Sequence, residues 1–231
     1  MPLYIAPAPS AIWESLVNGI SRGLFIDNAL YTLTEALLGF ACAAVSGIVL
    51  GSLIAQWRFL EKTLYPYLIA IQTTPKVAIA PLFIIWFGFG YTPKLLIVFL
   101  LSFFPIVVSS IAGFKAVDPE IADFARTTGA SGWKLFAKIR LPQALPDIFT
   151  GMKVGAALSA TAAIVAEFVA SDRGLGYLLL QYNGNLETPM VFAVIFLLSF
   201  IGLAVYYAVE FIERITIPWH TSQIQANTTS L

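Results

Sequence analysis

Long uncharged apolar runs alternate with short polar connections along this chain. The first run, Ala36 to Trp57, predicts a membrane-spanning helix near 30–56, since a span needs about 20 apolar residues. Val77 to Pro93 is shorter and interrupted by Pro81 and Gly88. Leu95 to Phe114 is a full-length run, and Val154 to Ala166 reaches full length when extended back through "LPDIFTGMK". Thr188 to Val209 is the fifth. None alternates apolar with polar positions, so the pattern predicts an all-α polytopic membrane helix bundle of five spans and not a β-barrel. Ahead of these, Ile12, Leu16, Ile20 and Leu24 recur every fourth residue, predicting an amphipathic helix over 10–27 that lies on the membrane interface.

One connection breaks the pattern. Residues 115–145 hold Asp123, Arg126, Lys134, Lys138 and Arg140 at helical spacing. Asp118-Pro119-Glu120 reads as a helix start: a capping carboxylate, a proline at the first helical position, then an acid in the first turn. That helix is expected to reach about Thr128 and stop at Gly129, where a positive φ suits glycine. Ser131 is placed to cap a second helix over 132–139, ending before Pro142, whose ring breaks a helical ladder. Phe124, Ala125, Ala130 and Trp133 are then apolar residues facing water, a pattern that marks a protein interface. On physical grounds alone two readings stand level: a docking surface for a soluble partner, or a membrane-surface loop packed on its own bundle.

Composition sharpens the class. Only 11% of residues are charged against 58% hydrophobic, too few charges to cover a soluble surface. Net charge is zero, which leaves no polybasic argument for nucleic acid. The single cysteine, Cys42, excludes an internal disulfide and a multi-cysteine metal site, and the single histidine, His220, cannot form a proton relay alone. The start lacks the basic region and apolar core of a cleavable signal peptide, so insertion is expected through the spans themselves.

Orientation follows from the basic residues. With the polar connection inside, Arg58, Lys62, Lys115, Arg126, Lys134, Lys138, Arg140, Lys153 and Arg214 lie on the cytoplasmic side. Arg22, Lys94 and Arg173 lie outside, and Lys76 is unplaced. This puts the N-terminus outside and the tail inside. The expected division is an interfacial segment 1–29, a transmembrane domain 30–214 with its loop 115–145, and a cytoplasmic tail 215–231. Trp57, Trp86 and Trp219 read as interfacial anchors near span ends.

The spacing of the polar connection resembles the signature of ABC-importer permeases: E-A-A, three residues, G, nine residues, I-x-L-P. Asp123-Phe124-Ala125 stands at E-A-A, Gly129 at the glycine, and Ile139-Arg140-Leu141-Pro142 at the end. Asp for Glu and Phe for the first Ala are departures. Further stretches, "APLFIIWFGFG", "FFPIVVSSIAGFKAVDPE", "LPQALPDIFTGMKVG" and "AEFVASDRGLGYLL", are similar to the nitrate/sulfonate/taurine-type branch of type I importers. Members of that branch usually carry one more spanning helix ahead of the segment resembling "APAPSAIWESL". The resemblance implies a permease in the cell inner membrane, with no catalytic or metal site of its own. It implies that Glu120, Asp123, Phe124, Ala125, Gly129, Ala130, Trp133, Ile139, Leu141 and Pro142 form the loop docking on a cytoplasmic ATPase. It also implies the partners: a second permease copy, an ABC ATPase dimer that binds ATP and Mg, and an extracytoplasmic solute-binding protein. The chain itself has no G-x-x-x-x-G-K-[ST] phosphate loop.

Broken backbone at membrane depth is tolerated only inside protein or along a cavity. Pro75, Pro81, Gly88 and Gly90 therefore place the pathway near Gln72, Thr73, Thr74 and Lys76, with Phe104, Pro105 and Glu167. Lys76 either meets an anionic solute or snorkels, or it pairs with Glu167. Glu167 is expected to anchor a loop bent at Gly174 and Gly176. Gly151, Gly155, Ser159 and Ala163, every fourth residue, predict close helix packing within the chain, or a stripe lining a pathway at a dimer axis. An intramembrane enzyme or a proton-coupled carrier would need convergent ionisable groups that these few charges do not supply. The implied solutes are nitrate, sulfonates or taurine, with a pyrimidine vitamin precursor, riboflavin or an aromatic acid as the alternative.

Overall fold

The computed structural model describes residues 7–127, 129, 130 and 132–219. Ser131, Thr128, His220 and the residues after it lie outside that description, and with them the expected Ser131 cap. The described residues form helices and no strands. Helix α1 covers Pro9–Ser21 and α2 Leu24–Gln56. Then come α3 Arg58–Thr73, a 3-10 turn Lys76–Ile79, α4 Ala80–Phe87 and α5 Tyr91–Lys115. The polar connection holds α6 Pro119–Thr127 and the short α7 Trp133–Leu135, followed by a π turn Phe136–Arg140. Helices α8 Leu141–Ala170, α9 Leu175–Gly184 and α10 Thr188–Thr216 complete the described chain.

Among the described residues, four helical stretches are long and apolar enough to cross a membrane: Leu24–Gln56, Tyr91–Lys115, Trp133–Val169 and Thr188–Thr216. The remaining predicted span differs from its sequence reading. The run 77–93 is not a helix by itself; α3 joins the segment Lys76–Phe87 across a bend of 86°, and only the bent pair together makes a fifth candidate. Arg58, Glu61 and Lys62 on the first turns of α3 hide its apolar half from a search for charge-free runs. At the N-terminus the helix predicted over 10–27 ends at Ser21. Of its four-residue stripe Leu16 is buried while Ile20 and Leu24 are exposed, and Leu24 already belongs to α2.

Pro142 does not end a helix. The chain stays helical from Trp133 into α8, with the π turn ending at Arg140, two residues ahead of the proline. There the Leu141 N–H bonds back to the Phe136 carbonyl, five residues earlier, and such a widened turn is one way a helix passes a proline without a break.

The chain forms two compact units. The first comprises the chain up to Cys42, Pro75–Leu101 and Ala156–Val205; the second comprises Ala43–Thr74, Ser102–Gly155 and the chain from Tyr206. The first has a core of Ala36, Ile97, Val98, Ala162, Ala163 and Ala166, with Phe83 and Leu101 packed on it. Small alanines let helix backbones approach where burial in lipid offers little hydrophobic drive. In the second unit α8 meets α5 through glycines: a Cβ at Gly151 would lie 2.5 Å from Ser109 Cβ, and one at Gly155 would lie 3.1 Å from the Ser102 carbonyl. The predicted small-residue stripe is thus intrachain packing, and its members Ser159 and Ala163 are buried in the first unit. On α10, Phe196, Phe200, Leu203, Tyr207 and Phe211 form an exposed apolar stripe, as a lipid-facing helix requires.

Candidate coupling surface and buried polar cluster

The connection in the second unit is built as a closed corner. The Asp118 carboxylate accepts the Glu120 N–H at 2.8 Å, capping α6, and Pro119 occupies the first helical position as predicted. At the other end the Ala130 N–H reaches the Ala125 carbonyl at 2.9 Å and the Gly129 N–H reaches that of Arg126 at 3.0 Å. This is the paired hydrogen-bond pattern of a Schellman stop, and Gly129 takes φ +86°, which a side chain with a Cβ adopts only under strain. Ala122, Ala125 and Leu135 form a small core under the corner, joined by Ala130 and Ile139. The corner thus has a core of its own, a capped start and a closed end.

Its water-facing side is narrower than the sequence suggested. Phe124 and Trp133 are 72% and 76% exposed, but Ala125 is buried and Ala130 half-buried beneath them. The alanines serve the corner's internal packing, because the Schellman turn folds Ala130 back over Ala125. Glu120, Asp123 and Gly129 are exposed, and Asp123 accepts a hydrogen bond from Arg126 one turn on at 2.8 Å. Ile139, Leu141 and Pro142 are half-buried. Pro142 lines a polar cavity of about 530 Å³ with Asp118, Gln143, Asp147, Lys153 and Glu213. The ion pair Lys153–Glu213, at 2.8 Å, closes one wall of it.

The first unit holds a polar cluster that the sequence reading only half located. Lys94, expected outside, is buried, with its ammonium 2.8 Å from Glu35 Oε1, 2.9 Å from the Tyr31 hydroxyl and 2.9 Å from Ser171 Oγ. An ammonium has three donors, so this set satisfies it. Glu167, also buried, accepts from Thr32 Oγ1 at 2.6 Å through one oxygen and from the Gly176 N–H through the other. Thr32 Oγ1 in turn accepts the Leu175 N–H at 2.9 Å, and Asn28 Oδ1 accepts the Gly174 N–H at 2.6 Å. The first amides of α9, orphaned at any helix start, are thus capped by α2 and α8 side chains. Gly174 sits at φ +105° against the Glu167 carboxylate, leaving no room for a Cβ. The expectation that Glu167 anchors this loop holds. Farther along α9, burial and the nearby Glu187 carboxylate push the Tyr182 phenol above its usual range, against a weaker opposing pull from Arg22.

A cavity of about 840 Å³ opens beside the cluster, lined by Lys94, Glu167, Tyr31, Ser171, Phe89 and Tyr177 among others. Of the predicted pathway residues, Glu167 lines this cavity. Lys76, in the same unit, is half-buried at the start of the 3-10 turn. Gln72, Thr73 and Thr74 are exposed at the end of α3, while Phe104 is buried and Pro105 half-buried within α5. No group of three metal-ligating side chains occurs among the described residues.

Residues 47–217 match the binding-protein-dependent transport system inner membrane component family, and the chain belongs to it. It is similar to the riboflavin transport system permease protein of Chloroflexus aurantiacus, 37% identical over 96% of this chain and 82% of the relative. The formylaminopyrimidine transport permease protein of Halalkalibacterium halodurans is 34% identical over 95% of this chain and 88% of its own. The taurine transport system permease protein of Escherichia coli is 30% identical over 95% and 81%. A chain of the MetNI methionine ABC transporter, solved in an inward-facing conformation, superposes with a TM-score of 0.71 at 17% identity, covering 85% of this chain and 97% of that one. The chain therefore has the type I importer fold and is an ABC-importer permease subunit of the inner membrane, a transport component and not an enzyme.

Proposed function

We propose that two copies of this chain form the membrane pathway of an importer whose ATPase dimer seats on residues 119–142 of each copy. The observation that carries this reading is the corner itself: capped at Asp118, closed at Gly129, cored by Ala122, Ala125 and Leu135, and presenting Phe124 and Trp133 to water. The ATPase holds ATP and Mg, and an extracytoplasmic binding protein delivers the solute to the face that carries the 171–187 segment. Gln72, Thr73, Thr74, Lys76, Phe104, Pro105 and Glu167 serve the pathway.

The solute we favour is a small heterocycle of the vitamin or vitamin-precursor class. Its support is that relatives named for riboflavin and formylaminopyrimidine transport are 37% and 34% identical, against 30% for those named for taurine and aliphatic sulfonates. In addition, the Lys94 charge is consumed by Glu35 and so does not select an anion. A second reading, a nitrate-, sulfonate- or taurine-like anion, is favoured by Lys76, half-buried at the bend between α3 and α4.

Proteoliposomes holding the permease with its ATPase and binding protein separate these readings. ATP-dependent uptake of labelled riboflavin or formylaminopyrimidine, with none of taurine, supports the first. Uptake of taurine alone overturns it in favour of the second. ATP-dependent export of solute would contradict the importer assignment.

A further inference from the structure

The second unit carries a two-part cavity whose wall includes Trp133 and Leu141 of the coupling loop. An apolar groove of about 540 Å³ is lined by Val49, Leu53, Phe114, Trp133, Phe136 and Leu141. Phe136 stacks on Phe114 at 5.6 Å and meets the Trp133 ring at 5.4 Å, so its floor is aromatic. A smaller cavity of about 320 Å³ shares Gln56, Gly132 and Phe136 with it and adds two guanidinium groups, Arg126 and Arg140. An apolar slot therefore runs directly into a cationic mouth. The slot lies at the end of α2, where Trp57 and Arg58 follow the last helical residue, Gln56, as anchors follow a span at the membrane–water boundary.

We propose that this cavity binds one anionic phospholipid of the cytoplasmic leaflet, its acyl chain in the groove and its headgroup phosphate on Arg126 and Arg140. Charge complementarity commits the occupant. A neutral amphiphile would fill the groove and leave Arg140 unmatched and Arg126 matched only by Asp123, and a free anion would leave the aromatic floor uncovered. Basic pockets between spanning helices on the cytoplasmic side recognise anionic headgroups by this combination. Arg126 gives one N–H to Asp123 at 2.8 Å, and a guanidinium has five. Arg140 sits half-buried in the π turn, so the turn that absorbs Pro142 also aims a cation at the mouth. A lipid seated there touches the helix corner and ties its position to membrane composition.

The test is native mass spectrometry of the full chain released from micelles doped equally with phosphatidylglycerol and phosphatidylcholine. The wild type should retain one phosphatidylglycerol in roughly thirtyfold preference, the factor that two guanidinium–headgroup contacts supply. R126Q/R140Q should lower that preference to about one, since both contacts are lost. L53W, which fills the groove without touching the arginines, should abolish retention of both lipids. Equal retention of the two lipids by the wild type, or an unchanged preference in R126Q/R140Q, overturns the proposal. So does a photocrosslinker at Leu53 that captures the ATPase or the second permease copy, and not lipid, in the intact transporter; that result would leave the coupling assignment standing.

Discussion

Lys94 Nζ and Glu35 Oε1 lie 2.8 Å apart, and both side chains are sealed from solvent. Two opposite charges on α5 and α2 are thereby neutralised inside a unit whose other core residues are mostly small and apolar. Removing one partner strands the other. K94M should destabilise the detergent-solubilised chain by about 3–5 kcal/mol, because an uncompensated carboxylate stays buried. The double variant E35Q/K94M should recover most of that loss. Thermal unfolding of the three proteins checks it, and a double variant no better than K94M would show that the pair does not act as a pair.

Thr32 serves two partners at once, donating to Glu167 and accepting from the Leu175 amide. T32V keeps the shape and removes both bonds, which should cost about 1–3 kcal/mol in unsatisfied buried groups. Hydrogen exchange should quicken at the amides of Leu175 and Gly176 more than elsewhere in α9. Uniform protection after the substitution would argue that the loop is held by other contacts.

Gly129 takes a backbone conformation that costs a residue with a Cβ about 1–2 kcal/mol. Nothing lies within 4 Å of the position its Cβ would occupy, so the strain is in the backbone alone. G129V should insert and assemble, yet lower transport relative to ATP hydrolysed severalfold as the corner loses its set angle. Normal coupling in that variant contradicts the mechanical role of the corner.

Where α8 meets α5 the limit is space. G151A would put a Cβ 2.5 Å from Ser109 Cβ and 2.9 Å from the Pro105 carbonyl, an overpacking worth about 1–3 kcal/mol. G184A, with nothing within 4 Å, should be neutral or stabilising by up to about 1 kcal/mol. Comparing the two melting temperatures isolates close approach from helix propensity.

The helix corner was readable because its signals are local: Asp118 before Pro119, a glycine where φ turns positive, and apolar residues at helical spacing. The Lys94–Glu35 pair was not, because each partner reads by itself as a charge near the end of an apolar run. One signal was available. Glu35 falls inside the predicted 30–56 span, and a carboxylate at that depth demands a partner. Lys76 is the more conspicuous charge in the sequence, because it sits in the broken segment. The bend between α3 and α4 escaped because α3 begins with three charges and so fails any test for uncharged runs. Pro142 misled because a single proline rule ignores a neighbouring π turn that accommodates it. The exposure of Ala125 and Ala130 was overestimated for a related reason: the Schellman turn that Gly129 announces also folds those two alanines inward.

If the corner at 119–142 seats on a cytoplasmic ATPase as proposed, a short crosslink should join the two. With Cys42 replaced by serine, a single cysteine at position 124 in the assembled transporter tests it most directly through a short bifunctional crosslinker. A permease–ATPase adduct should form in intact membranes and change in yield when ATP is bound. Modification of that cysteine by an impermeant reagent added outside intact cells, with no ATPase adduct, would contradict it.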